Sequence, residues 1–369
     1  MAGTYEALII GGGIVGAACA YELARAGLRV AIVEEHGIAS GATSAGMGHL
    51  VVLDDSEAQF SLARRSLELW RELAQDLPAD CEYRQCGTVW VAANEQELEL
   101  ARGKVESYTR GGVEAALVDA RQLLALEPNL REGLAGGLLV PGDATVHPAS
   151  AARFLTERSG ARVIIDCVVT VLDGQVRLSG GDSLTAGVIV NATGTGAALL
   201  TPGLPVRARK GHIVVADPGL SFARHQIVEL GYVQSTHAEE GDSVVFNVRQ
   251  DRNGELLIGS SRQYDANDPS IEPAVIDRML ARALEYMPAL ARARQLRSWT
   301  GFRAGTPDGL PLIGCCSGFE RFFVAAGHEG LGATTSLATA RLIADQILGR
   351  PPEIEAAPFH PARFERQTM

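Results

Sequence analysis

No two cysteines of this chain form a Cys-x-x-Cys pair. The six are scattered (Cys19, Cys81, Cys86, Cys167, Cys315 and Cys316), and no histidine cluster lies near one at metal spacing. That argues against a zinc or iron–sulfur site and leaves reduced thiols as the expected state. The vicinal pair Cys315–Cys316 reads as two packed or loop thiols, with a redox-active pair as the alternative. Basic excess is also missing. Lys and Arg number 33 against 44 Asp and Glu, a net charge of −11, which argues against nucleic acid and anionic membrane surfaces as partners. Residues 7–20 are mostly apolar, but Glu6 stands where a basic segment would precede a signal peptide. Glycines cut the run far short of a membrane span. The expectation is a soluble, cytoplasmic chain with no transmembrane segment. There is no internal repeat or low-complexity stretch, and a length of 369 residues favours two domains.

What is present starts at residue 7. The apolar run Ala7 to Ile10 meets Gly11, Gly13 and Gly16; a helix-forming stretch follows, then the apolar run Val30 to Val33 and the acids Glu34 and Glu35. Strand, glycine turn, helix, strand and acid are the parts of a dinucleotide site. Gly11 makes the tight turn. Gly13, with Ile14 and Val15 after it, brings backbone N–H groups to a pyrophosphate at a helix N-terminus. Gly16 lets the helix lie close to the strand, and Glu34 is placed to accept hydrogen bonds from a ribose.

Further along, residues 56–76 show helical periodicity. A strand is expected at 87–92, helices at 95–110 and 119–127, and another opening at His147-Pro148. Short strands read at 163–165, 168–172, 176–178 and 188–190. From Gly211 the pattern changes to strands at 212–215, 227–230, 244–248 and 256–258 between turn residues, which suggests an antiparallel sheet. A helix at 272–286 follows. The tail returns to strand (322–325), glycine turn and helix (335–348). The expected fold is α/β: a Rossmann-like, doubly wound domain from 1–80, 141–210 and 298–369, interleaved with an antiparallel-sheet substrate domain from 81–140 and 211–297. Ligands in such folds bind at the carboxyl ends of the strands and between domains.

Five segments together carry a resemblance: GGGIVG near the start, SGATSAGMG at 40–48, VNATG at 190–194, RAGTPDGLPLIG at 303–314 and GHEGLG at 327–332. The chain resembles, over nearly its whole length, the D-amino-acid oxidase and glycine oxidase family of FAD enzymes. Within that family, GHIVVAD, RHQIVELGY, LLIGSSRQ and WTGFRAGTPD look most like the flavin subunits of D-hydroxyproline and opine dehydrogenases. The resemblance implies non-covalent FAD. It lays Ser40, Thr43, Ser44, Gly46 and Met47 along the flavin, puts Ala192, Thr193 and Gly194 beside it and Val168 at the adenine end. It also turns Gly327, Gly330, Leu331 and Gly332 toward N1–C2=O, where a helix dipole favours the charge that builds on reduction. Arg303 is implied as the grip on a substrate carboxylate, which suits a guanidinium fork. Tyr232 is a candidate to stand over the substrate carboxylate, and His49 either faces the flavin ring or is a packed histidine. Glu329 either meets a substrate amine or caps the helix, with capping favoured. His212 reads as structural, and the cluster Arg207, Arg209, Lys210 has no assigned role.

The implied reaction is hydride transfer from the Cα of a small secondary or D-amino acid to flavin N5, of the D-4-hydroxyproline dehydrogenase type. The alternatives are an oxidase of glycine, sarcosine or D-amino acids using oxygen, and a flavin-bearing electron-transfer or assembly subunit. Implied partners are a ferredoxin-like and a larger flavoprotein subunit, or further copies of the chain.

Overall fold

A computed structural model describes residues 4–53, 55–231, 242–264 and 268–367. Its backbone is organised by two eight-stranded sheets. In the first, Thr4–Ile10 lies between Val30–Glu34 and Ser183–Asn191, parallel to both. Phe322–Ala326 and Arg162–Ile165 extend the parallel set on either side, and Leu312–Cys315 closes one edge antiparallel. A parallel sheet is covered on both faces, so its strands are apolar throughout; Ala7 to Ile10 and Val30 to Val33 are all buried. Ala7 and Ile9 face the helices Ile14–Arg25, Pro148–Ser159 and Gly332–Leu348. Leu8 and Ile10 face the other way, onto Val168, Val176 and Leu178.

That second face departs from a doubly wound arrangement. After Arg162–Ile165 the chain turns into the antiparallel strands Val168–Leu172 and Gln175–Leu178, which lead back into Ser183–Asn191. Strands rather than helices therefore cover it.

The second sheet runs Arg294–Gly305, Arg207–Asp217, Leu256–Arg262, Ser243–Gln250, Gln226–Glu229, Thr88–Ala92, Gly136–Val140 and Ala116–Asp119. All neighbours are antiparallel except Gln226–Glu229 and Thr88–Ala92, which pair parallel. These two come from distant parts of the chain, and the long connection permits parallel pairing. Alternation along the strands sorts residues to two faces. Val89, Ile227, Phe246, Val248 and Ile258 pack with the helix Pro273–Tyr286, and the Phe246 and Tyr286 rings stack at 4.7 Å. Trp90, Leu138, Val140 and Val228 point the opposite way and join the core of the first unit. This inner face roofs the site.

The expected helices are present with recognisable ends. Ser56 accepts from Gln59 N to open Glu57–Leu73, Asn94 accepts from Glu97 N to open Glu95–Arg110, and Pro148 stands in the first turn after the cap His147.

Candidate functional site

The glycine turn is held by contacts that leave no room for side chains. Gly11 has φ +103°, a left-handed conformation that favours glycine, and a Cβ there would sit 2.6 Å from Ala192 O. A Cβ on Gly16 would stand 2.0 Å from the Gly11 carbonyl. Glu34 stands under the turn. Its carboxylate accepts from Gly12 N at 2.6 Å, His36 N at 3.0 Å and Ser40 Oγ at 3.1 Å. Burial alone would raise the Glu34 pKa, but the backbone donors His36 and Gly12 and the Ser40 hydroxyl outweigh it and hold the carboxylate charged. Ser40 is thus turned toward Glu34. Thr43 Oγ1 accepts from Ile14 N at 2.9 Å, so Thr43 stands at the start of the helix Ile14–Arg25. Ala192 and Thr193 adjoin the turn, with Thr193 Oγ1 donating to Asn191 Oδ1 at 2.7 Å, and Gly194 follows them. Glu35 is exposed and acts electrostatically on Cys167, the neighbour of Val168, so both lie at the same end of the sheet.

The 40–48 segment is a thin layer between the two sheets. Trp299 Nε1 donates to Ala45 O at 3.1 Å. A Cβ on Gly301 would be 2.4 Å from Ala45 Cβ, and one on Gly259 would be 2.7 Å from Met47 Sδ and 2.6 Å from Asn247 Oδ1. Ser44 donates only to Gly41 O and stays exposed, while Gly46 ends the short helix Ala42–Ala45. Next comes His49, paired with Thr145 across a two-strand ladder. Burial, with Arg249 adding to it, pushes the His49 pKa down to about 3, so its ring is neutral.

Arg303 lies at the other end of the layer. Its strand pairs with Arg207–Asp217, and its guanidinium crosses Gly211, where a Cβ would lie 2.3 Å from Nη1. Nη1 donates to Ser261 O at 2.9 Å. Its Nε is 3.8 Å from the Cβ position of Gly330, so the side chain reaches the turn before the helix Gly332–Leu348.

Glu329 corrects the sequence reading. It caps neither helix end. Its carboxylate lies 2.8 Å from Arg209 Nη1 and 2.8 Å from Arg262 Nη2. Burial would raise its pKa; Arg262, Arg209 and Arg303 pull the other way and keep it ionised. Arg209, from the cluster left without a role, is therefore a partner of the GHEGLG turn. Lys210 instead pairs with Glu272 at 2.9 Å. His212 is buried, with Nδ1 2.9 Å from Ser261 Oγ and Nε2 accepting from Glu272 N, which gives it the structural role expected. Tyr232 falls outside the described residues.

Sequence reasoning missed the polar residues on the inner face of Ser243–Gln250. Asn247 and Arg249 are buried there, two residues apart. The signal was the alternation Phe246, Asn247, Val248, Arg249, in which polar side chains occupy every second position of a buried strand.

The residues present fit an extended dinucleotide. By helix geometry the first-turn N–H groups of Ile14–Arg25 and Gly332–Leu348 have no intrahelical acceptor, and neither helix has a side-chain bond from its own N-cap residue. A Cβ on Gly330 or Gly332 would meet nothing closer than 3.8 Å, so backbone there is open to a ligand. Gly11 to Gly16 and Glu34 would hold the adenosine diphosphate end, and 40–47 with 330–332 the flavin. Among the described residues no helix is long and apolar enough to cross a membrane, and no three His, Cys, Asp or Glu gather as metal ligands.

A glycine turn on a parallel sheet, an uncapped second helix start and an arginine between two sheets define a flavin-dependent oxidoreductase of amino-acid type. The chain belongs to the FAD dependent oxidoreductase family, whose model matches residues 6–346. It is 29% identical to a glycine oxidase of Geobacillus kaustophilus, over 96% of each chain. The crystal structure of glycine oxidase from that organism superposes with a TM-score of 0.88, covering 98% of this chain and 99% of that one at 27% identity. The hydrogen cyanide synthase subunit HcnC of Pseudomonas aeruginosa is 28% identical, over 98% of this chain and 97% of its own length. A subunit of the opine oxidase of Rhizobium meliloti is 27% identical, over 97% of each.

Proposed function

We propose that this flavoenzyme dehydrogenates the Cα–N bond of a small secondary or D-amino acid, with D-4-hydroxyproline as the first substrate to offer. The observation that carries the reading is Arg303. Its guanidinium crosses Gly211 and reaches the 330–332 turn, where a bidentate grip on a carboxylate would fix Cα beside the flavin. When bound, FAD supplies the acceptor, at N5, for a hydride leaving Cα. The chain's own work is to bind, orient and exclude water. Neutral His49 would take no part as a cation, and Met47 with Asn247 would bound the pocket. An acyclic imine product hydrolyses to a keto acid and an amine, whereas a cyclic one can leave intact.

The second reading is an oxidase of glycine, sarcosine or D-amino acids; the glycine oxidase relative favours it. A third, an electron-transfer or assembly subunit, draws on relatives named as subunits, and partner subunits and a cytoplasmic setting belong to the same proposal. Purified holoenzyme separates these. D-4-hydroxyproline, glycine, sarcosine and D-alanine are offered with oxygen or with a dye. Dehydrogenation predicts bleaching of the flavin and turnover with dye faster than with oxygen. Peroxide at a rate matching the dye would overturn the dehydrogenase reading, and no bleaching by any of them or by amino acids with an acidic arm would overturn both catalytic ones. Arg303→Ala is expected to weaken substrate saturation by about 30-fold or more, since truncating one partner of a desolvated charge pair costs about 2–5 kcal/mol. Unchanged saturation would remove Arg303 from the site.

A further inference from the structure

The inner face of the second sheet carries a guanidinium that the proposed reaction does not use. Arg249 is only 3% exposed, and its Nε has no hydrogen-bond partner among the described residues. Other bases of this sheet have bonded carboxylates. Arg209 and Arg262 share Glu329, and Lys210 has Glu272. Two carboxylates, Glu82 and Asp251, act on Arg249 through space without bonding to it.

One contact and one electrostatic influence place Arg249 over the 40–49 layer. Asn247, on the same face of the same strand, meets the Met47 layer at Gly259. Arg249, two residues on and thus about 7 Å further, acts on His49, two residues past Met47. Strand 243–250 and segment 47–49 therefore lie alongside each other. Other polar atoms there also lack partners among the described residues: His49 Nε2, Asn247 Oδ1, and Trp90 Nε1, which lies in register with Asn247 through Val228. Buried polar groups are satisfied in native proteins, so unpaired ones gathered on one wall mark a ligand cavity.

We infer that Arg249 is a second anion anchor in the substrate cavity, and that the substrate carries a second carboxylate beyond the one Arg303 holds. A buried guanidinium whose nearest carboxylates act only through space is costly, and its planar fork matches a carboxylate. Trp90 Nε1 can only donate, which suits the same group. The cofactor's phosphates do not compete, because their glycine turn is on the other sheet. This inference rests on the reading of Arg303 for the first carboxylate. It narrows the substrate to amino acids with an acidic arm and puts D-4-hydroxyproline below them.

The test uses holoenzyme and ether dicarboxylates, from diglycolate to longer chains, which have no amine to oxidise. Their binding is read as perturbation of the bound-flavin absorbance, with methoxyacetate as the monocarboxylate control. The best dicarboxylate is expected to bind at least 10-fold tighter than methoxyacetate. Arg249→Met should weaken it about 30-fold and leave methoxyacetate within twofold. Arg249→Lys, which keeps the cation and loses the fork, should fall between and carries the comparison if the methionine variant does not hold flavin. No preference in the parent protein, or equal loss of both ligand classes, overturns the anchor. Arg249-dependent binding without flavin reduction by any amino acid overturns the reaction and leaves the anchor standing; reduction by monocarboxylates with no dicarboxylate preference does the reverse.

Discussion

Replacing Glu329 by glutamine removes one charge and almost no volume. In the parent protein that carboxylate sits 2.8 Å from two guanidiniums, with Arg262 at 9% and Glu329 at 15% side-chain exposure. Removing one partner of a buried ion pair costs about 3–5 kcal/mol, because the remaining charge is left uncompensated. Partial exposure puts this site at the lower end, about 3 kcal/mol. At the roughly 2 °C per kcal/mol that suits large domains, Tm should drop by about 6 °C. Arg209 is on Arg207–Asp217, Arg262 on Leu256–Arg262, and Glu329 is beside the helix Gly332–Leu348. Holoenzyme should therefore lose flavin more readily as the two units loosen. The assay is thermal unfolding of Glu329→Gln beside the parent, in chloride and in sulfate. Sulfate should recover part of the loss in the variant by filling the place of the missing anion. A drop below about 1 °C, or sulfate acting alike on both proteins, would refute a structural ion pair here and return Glu329 to the list of substrate contacts.

Three further outcomes follow from local geometry. Gly16→Ala sets a methyl 2.0 Å from a backbone carbonyl that cannot move aside; purified protein should carry under a tenth of the parent's flavin, measured from the 450 to 280 nm absorbance ratio, and full loading would contradict the close packing. Asp143 is fully buried, and burial pushes its pKa up to about 7 against opposing bonds from Thr88 and Val52. The folded state thus binds a proton that the unfolded chain releases near pH 4, so stability is full below that and falls as pH rises to about 7, by at most about 4 kcal/mol. Asp143→Asn should flatten this slope in denaturant titrations at pH 4.5 and 7.5, and an unchanged slope would clear Asp143 of it. His49, neutral above pH 3, should contribute no ionisation to the pH–rate profile between 5 and 8; a limb that vanishes in His49→Gln would show otherwise.

The first unit is legible because its constraints are local. Gly11, Gly13, Gly16 and Glu34 lie within 24 residues, and the chemistry of a glycine turn fixes their roles before any tertiary contact forms. Spacing offers Glu34 to a ribose; the structure adds that its carboxylate accepts from Gly12, His36 and Ser40. An acid ending a strand beside unpaired N–H groups has two possible sets of donors, and spacing alone does not choose. The second sheet is legible as strands, since alternation is a local signal, but not as a wall. Its parallel pair joins residues 88 and 226, and no pattern within either strand encodes that neighbour.

The same limit explains Glu329, and it points to where specificity is written. As part of GHEGLG the residue looks like a helix start, and a cap is the local solution for an acid there. The partners that overrule it, Arg209 and Arg262, are 120 and 67 residues earlier on two different strands. Both strands belong to the sheet that roofs the pocket, as do Arg303, Asn247 and Arg249. The glycine turn is therefore built from residues near one another in sequence, whereas the charge pattern on the roofing sheet is assembled from four strands. In that pattern Arg209 and Arg262 share the carboxylate of Glu329, which Arg303 also influences through space, while Glu82 and Asp251 act on Arg249 from a distance. Guanidiniums gathered on one sheet face favour negative charge in a ligand, even in a chain whose own net charge is −11. The overall acidity, read first from composition, therefore says nothing about the sign of the ligand.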